Sequence, residues 1–183
     1  ENLRAVVWDW QDLYWEFFGI KKNFSKLEFP KRREGFDRLL VVAEGMTPNR
    51  VFAKCAELFP AWRYAEDLDS VVSDREADHD YAVWVRDRAE ADEELAGKSA
   101  NDLKAENISG ITLPERLLYE LKYFAETRKH LDLQNITLCA GSRGRDGIVP
   151  YAHWDDDEFC VGWYFPVRRR AVGLRSRAAV SSP

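Results

Sequence analysis

The sequence predicts an α+β protein in which helices come first and a small antiparallel sheet follows. Two helix starts support this prediction: Thr47 stands before Pro48, and Thr112 and Glu115 have the spacing of a capping box ahead of a leucine stripe. After His130 the apolar residues fall into short alternating runs separated by Gly-containing turns. We therefore expect a helical N-terminal two-thirds packed on a small antiparallel sheet.

The other elements ahead of the sheet follow from local patterns. Residues 5–20 are dense in aromatic side chains whose spacing fits a helix or a strand equally well, and residues 36–43 are typical of a short buried strand. Residues 74–95 have helical spacing and place His79 on a predicted helix. A short helix is expected over residues 99–106, and the helix that Thr112 caps extends to about residue 130.

Strands are predicted where alternating apolar residues lie between turn dipeptides. They cover residues 136–140, 149–154 and 159–165, with a closing strand within residues 171–180. The chain divides by pattern into an aromatic-rich N-terminal segment, residues 1–46, and an α+β domain, residues 47–183. Within that domain we identify residues 140–180 as the candidate binding region.

Composition limits the class of protein. The 183 residues include seven Trp, seven Tyr and ten Phe, so the chain can bury enough apolar surface to fold. No apolar run is long enough to span a bilayer. The three cysteines, Cys55, Cys139 and Cys160, are an odd set without C-x-x-C spacing, which favours small buried side chains in a reducing compartment. No signal peptide is visible after Glu1, so we expect a cytoplasmic protein, with surface display left open because a trimmed leader would not be seen.

The sequence shows no recognisable catalytic constellation, and we expect no cofactor. The three histidines are scattered, and Ser142 does not lie in a nucleophile elbow. The best metal candidate is His153 with the acidic run that follows it, Asp155, Asp156, Asp157 and Glu158. Those oxygens would suit Ca²⁺ or the centre of a small metal-dependent enzyme, and an exposed acidic turn is the alternative.

The composition of residues 140–183 differs from that of the rest of the chain. This region holds seven Arg and no Lys, whereas the whole chain has a net charge of −5. Arg and aromatic side chains dominate the energetics of protein interfaces, and they also bind phosphate and stack on bases. We expect a macromolecular partner, a protein in the first instance and nucleic acid as the alternative. The candidate contact residues are Arg145, Tyr151, His153, Asp155, Phe159, Tyr164, Phe165, Arg168, Arg169 and Arg170.

About the last 75 residues resemble an uncharacterised bacterial family and the variable proteins of diversity-generating retroelements. The residues that carry the resemblance are Ile108-Ser-Gly-Ile-Thr-Leu-Pro-Glu115, Leu138-Cys-Ala-Gly-Ser-Arg143, Trp154, Trp163-Tyr164 and Gly173-Leu174-Arg175, the last standing where the family has Gly-Phe-Arg. The resemblance implies a C-type-lectin-like fold that ends in a region rewritten at template adenines, and a non-catalytic protein that binds ligands.

The same resemblance assigns roles within the region. Trp154 and Trp163 would be fixed framework, since adenine replacement in Asn codons does not produce Trp. The candidate variable positions are Tyr151, His153, Asp155, Phe159, Gly162, Phe165, Val167 and Arg168. The absence of Lys, Asn, Gln and Met after Leu138 agrees with this origin, and a chance bias of composition explains it equally.

Overall fold

The computed structural model describes residues 2–165 and 173–183 and confirms the α+β class. The described helices are α1 (Leu3–Phe18), α2 (Pro48–Leu58), α3 (Ala100–Ala105) and α4 (Leu113–Thr127). The described strands are β1 (Arg38–Val42), β2 (Ala61–Arg63), β3 (Val72–Ser73), β4 (Tyr81–Val85), β5 (Ile136–Leu138), β6 (Ser142–Arg143), β7 (Val149–Asp155), β8 (Glu158–Tyr164) and β9 (Leu174–Ser176). Four strands therefore precede β5, so the first two-thirds of the chain is not purely helical.

The main sheet has five strands in the order β2-β8-β7-β5-β9. The β7–β8 and β5–β7 pairs are antiparallel, but β2 joins β8 and β9 joins β5 in parallel. The prediction of a purely antiparallel sheet is thus wrong: β2 comes from a distant part of the sequence, and β9, the next strand after β8, pairs with β5 instead of β8. Strands β1 and β4 form a separate antiparallel pair, and so do β3 and β6.

The segment after β9 connects the main sheet to the β1–β4 pair. Beyond Ser176 the backbone forms an isolated bridge between Ala178 and Gly110, and another between Val180 and Trp84 on β4. The closing strand predicted within residues 171–180 is therefore a short strand followed by two single bridges, and residues 171 and 172 lie outside the described residues.

The aromatic N-terminal segment, which the sequence left undecided, forms the helix α1. Asn2 caps it, and its buried aromatic side chains bind strand β1: Trp10 Nε1 donates to the Leu39 carbonyl, and the Tyr14 hydroxyl donates to the Val41 carbonyl. One hydrophobic cluster contains residues from both sides of position 46. Helix α1 thus packs in the same core as the remainder of the chain.

The helix predicted over residues 74–95 is absent. The structure instead has strand β4, a loop, and a short 3₁₀ turn at Glu93–Leu95, with His79 exposed in a loop beside Asp78. Two features explain why a strand forms here instead of a helix. Val83 and Val85 are β-branched and suit a paired strand, and the charged residues that follow pair at a spacing that a helix does not bring together. Arg88 pairs with Glu94, six positions along, and a helix brings residues three or four apart together rather than six.

The predicted capped helices are confirmed. Thr112 and Glu115 make both hydrogen bonds of the capping box at the start of α4, and Thr47 caps α2 with Pro48 in the first turn. Helix α4 is central, since every residue from position 113 to position 122 is buried. Its polar side chains therefore need buried partners, and these partners support the site described below.

No helix in the described part of the chain has the length and apolar character needed to cross a bilayer.

Candidate binding face on the main sheet

The β7–β8 hairpin separates its side chains into two faces. Its turn consists of Asp156 and Asp157, with Asp156 in the left-handed region that Asp tolerates (φ 49°). The register places alternate residues on opposite sides of the sheet. The inner face carries Pro150, Ala152, Trp154, Phe159, Val161 and Trp163. The outer face, as we use the term, carries Tyr151, His153, Asp155, Glu158, Cys160, Gly162 and Tyr164, and at one end the fully buried Val149, which packs with Leu138 and Leu174.

The inner face is anchored to the core by aromatic contacts. Trp154 stacks on His130 with 3.6 Å between ring centroids and 10° between planes, and its indole donates to the Asp156 carbonyl in the turn. Phe159 is fully buried and meets Phe59 edge-on at 6.0 Å. These contacts hold the inner face of the hairpin against the core.

A buried ionic network lies under this inner face. The Arg116 guanidinium donates to Glu120 at 2.8 Å and to Asp132 at 2.9 Å, and Arg177 donates to the other oxygen of Asp132 at 2.9 Å. The Thr137 hydroxyl, on β5, also donates to Asp132. Groups buried this deeply require partners on every side, so the network holds α4, β5 and the segment after β9 in one arrangement.

The outer face continues onto the edge strand β2. Trp62 is the register partner of Cys160, and Tyr64 continues the strand pairing by donating its amide to the Val161 carbonyl. Trp62 is 46% exposed and Tyr64 is 67% exposed. Phe165, directly after β8, is also 54% exposed, although strand alternation does not place it on the outer face with Tyr164. The face therefore presents large amphipathic side chains to solvent.

The ring of Tyr151 lies against Gly162 on the neighbouring strand. A Cβ atom built at Gly162 would overlap the phenol ring of Tyr151. The missing side chain thus leaves the space that the ring occupies. Burial raises the pKa of the Tyr151 hydroxyl, so it is a neutral hydrogen-bonding group.

The structure brings His153, Asp155 and Cys160 together on the outer face. Their imidazole, carboxylate and thiol donor atoms all lie within 4.8 Å of one another. Burial lowers the pKa of His153, and burial followed by the charges of Glu158 and Asp155 raises the pKa of the Cys160 thiol to about 11. Both shifts favour the neutral forms of the imidazole and the thiol.

The sequence reasoning found two members of this cluster and missed the third. It treated Cys160 only as a small buried side chain, although the Asp156-Asp157 turn sets a register that pairs position 153 with position 160. The other members of the acidic run do not join the cluster among the described residues: Asp156 and Asp157 form the turn. A calcium loop built from consecutive acids is therefore not what the hairpin forms.

The structure also corrects one predicted contact residue. Phe159 lies on the inner face with no exposed surface, because its strand position alternates with that of Cys160, and so it is a core residue. Tyr151, His153, Asp155 and Tyr164 lie on the outer face, and Arg145 is exposed in the turn before β7. Arg168, Arg169 and Arg170, with Val167, lie outside the described residues.

A cleft of about 770 Å³ lies away from the β7–β8 hairpin. Residues 23–28, 74–82 and 181–183 contribute to its lining, and no described residue of β7 or β8 does. Two of its charged groups are engaged in ion pairs: Asp80 binds Lys22, which lies next to the cleft, and Arg75 binds the buried Glu115.

Comparisons of the chain with protein-family models, with curated proteins and with solved structures found no match.

Proposed function

We propose that this protein is a non-catalytic binding protein whose outer face and adjoining turns recognise another macromolecule, a protein in the first instance. The observation that carries the proposal is the division of the β7–β8 hairpin. Trp154 and Phe159 hold its inner side against the core, and on the outer side Tyr151 and His153 are half-buried while Asp155 and Glu158 are exposed. Side chains on a rigid backbone can be exchanged without unfolding it.

The chemistry of the outer face suits a protein partner. Tyr and Trp provide large contact area with a polar group attached, and they lose little conformational entropy on binding because they have few rotatable bonds. Trp62 on β2, Tyr64 directly after β2 and Tyr151 on β7 supply this kind of surface, with β8 between the two strands. Such residues are enriched among those that dominate binding energy at interfaces.

We further propose that residues 140–180 are a diversified region, as the resemblance to retroelement variable proteins implies, with a C-type-lectin-like arrangement as the scaffold. Support comes from the positions themselves. Of the candidate variable residues, Tyr151, His153 and Asp155 all lie on the outer face, outside the main core cluster. Phe159 is withdrawn from the set because it is buried, and Gly162 because a side chain there would overlap the Tyr151 ring.

The test is to sequence the DNA around the gene and its 3′ end across the source population. Codons 151, 153 and 155 should vary at positions that correspond to adenines in a neighbouring near-copy, and a reverse transcriptase gene should lie close by. Codons 152 and 154, interleaved with them on the inner face, are the internal control and should stay constant. A unique, invariant 3′ end would refute the diversified region, and equal variation on both faces would refute the division on which the binding proposal rests.

A further inference from the structure

We propose that His153, Asp155 and Cys160 form a binding site for a zinc-class divalent cation on the outer face. The inference does not rest on the proposed function, because it concerns the residues that this chain carries at positions 153, 155 and 160, whichever residues diversification places at 153 and 155 in other copies. It assigns to Cys160 a role as a metal ligand.

The three donors are brought together by one secondary structure unit. His153 and Cys160 are direct cross-strand partners, and Asp155 follows His153 by two positions on the same face. A tetrahedral zinc site, with metal–donor bonds of roughly 2.0–2.3 Å, places its donors about 3.3–3.6 Å apart. The donors here lie within 4.8 Å of one another, so side-chain rotations that move them by about 1 Å complete the geometry of such a site.

The backbone around the cluster is fixed independently of any metal. Trp154, between the two ligands on β7, points inward and stacks on His130 while its indole binds the turn at Asp156. A preorganised backbone reduces the conformational entropy that a metal site has to overcome. The cation therefore has to order only three short side chains.

The types of donor select the metal. A sulfur, a nitrogen and a single carboxylate suit Zn²⁺ or Co²⁺, whereas Ca²⁺ requires six to eight oxygen atoms. On binding, the S–H bond of Cys160 breaks, a metal–sulfur bond forms, and the proton passes to solvent. Three protein ligands leave a fourth coordination position for water, as in zinc sites that remain open.

The experiment uses the full chain and Co²⁺ as the first probe, because tetrahedral Co²⁺ bound to a thiolate gives intense visible d–d bands and a sulfur-to-cobalt charge-transfer band. We expect both bands to saturate at one equivalent and to disappear when Zn²⁺ is added. Competition with a chromophoric chelator then measures the affinity for Zn²⁺. Absence of the charge-transfer band in the folded wild-type protein would overturn the proposal.

Ligand variants locate the site. Cys160→Ser should abolish the charge-transfer band, and His153→Gln and Asp155→Asn should each weaken Zn²⁺ binding by more than about 100-fold, since even changes outside the ligand set cost about 10–100-fold. Asp157→Asn is the matched control: it removes a neighbouring exposed carboxylate of the same hairpin, and it should leave affinity unchanged. Equal binding in all four variants would mean that surface carboxylates hold the metal non-specifically, and would refute the site.

Alkylation provides a second measurement that does not depend on the spectrum. Cys55 and Cys139 are fully buried, whereas Cys160 is 8% exposed. Iodoacetamide followed by mass spectrometry should therefore modify Cys160 first in the folded protein, and Zn²⁺ should protect it. Modification at an equal rate with and without Zn²⁺ would overturn the role assigned to the thiol, even if the metal bound elsewhere.

Discussion

Replacing Phe159 and Tyr151 by Ala tests the two faces of the hairpin in a single comparison. Phe159 has no exposed surface, meets Phe59 edge-on at 6.0 Å, and lies under the Arg116 guanidinium at 5.5 Å. Phe159→Ala should therefore lower the free energy of unfolding by about 3–5 kcal/mol. Tyr151 is half-buried on the outer face, and Tyr151→Ala should cost at most about 1 kcal/mol.

Thermal unfolding followed by circular dichroism, with urea unfolding beside it, measures both losses. For a chain of this length, 1 kcal/mol corresponds to a shift in Tm of about 2–4 °C. The expected fall in Tm is then roughly 6–20 °C for Phe159→Ala and at most about 4 °C for Tyr151→Ala. Phe159→Leu, which retains most of the buried volume, should recover most of the loss. Similar losses for the two Ala variants would refute the division into an inner and an outer face.

The remaining predictions concern the scaffold. Asp132→Ala should cost about 3–5 kcal/mol in urea unfolding, because it leaves the buried Arg116 and Arg177 without their shared carboxylate; a loss below about 1 kcal/mol would contradict the network. Gly141→Ala should cost about 1–3 kcal/mol, since its Cβ would lie 2.5 Å from the Gly110 carbonyl oxygen, a backbone atom that no rotamer change can move. An unchanged Tm for that variant would show that the two loops separate without cost.

The parts of the fold that the sequence predicted well are those specified by neighbouring residues. The caps Thr47, Ser99 and Thr112 bind amides within three positions of themselves, so they can be recognised without tertiary structure. Strands β7 and β8 were predicted as strands, over residues 149–154 and 159–165, for the same reason, since their alternation is a local pattern.

The parts that were missed depend on residues distant in the sequence. Strand β2 pairs in parallel with β8, which lies far from it in the sequence. No local pattern in the three residues of β2 predicts such a partner. Residues 74–95 have helical spacing, yet pairing with β1 makes part of them a strand. The cluster of His153, Asp155 and Cys160 could be recognised only from the register of the hairpin, because the register alone shows that Cys160 is the cross-strand partner of His153.

The segment after β9 has a consequence for how the molecule reaches its folded state. Arg177 donates to the Arg88 carbonyl, 89 residues away, and Val180 exchanges two backbone hydrogen bonds with Trp84. During synthesis these partners emerge well before the residues that bind them, so Asp132 has only Arg116 as its arginine partner until translation has passed the hairpin. A frameshift or stop codon within β7 or β8 removes Arg177 and Val180 and leaves Asp132 without one of its two arginines. Only chains translated in frame through the hairpin can therefore form the contacts of Arg177 and Val180. Truncated chains lack these contacts and are more susceptible to proteolysis.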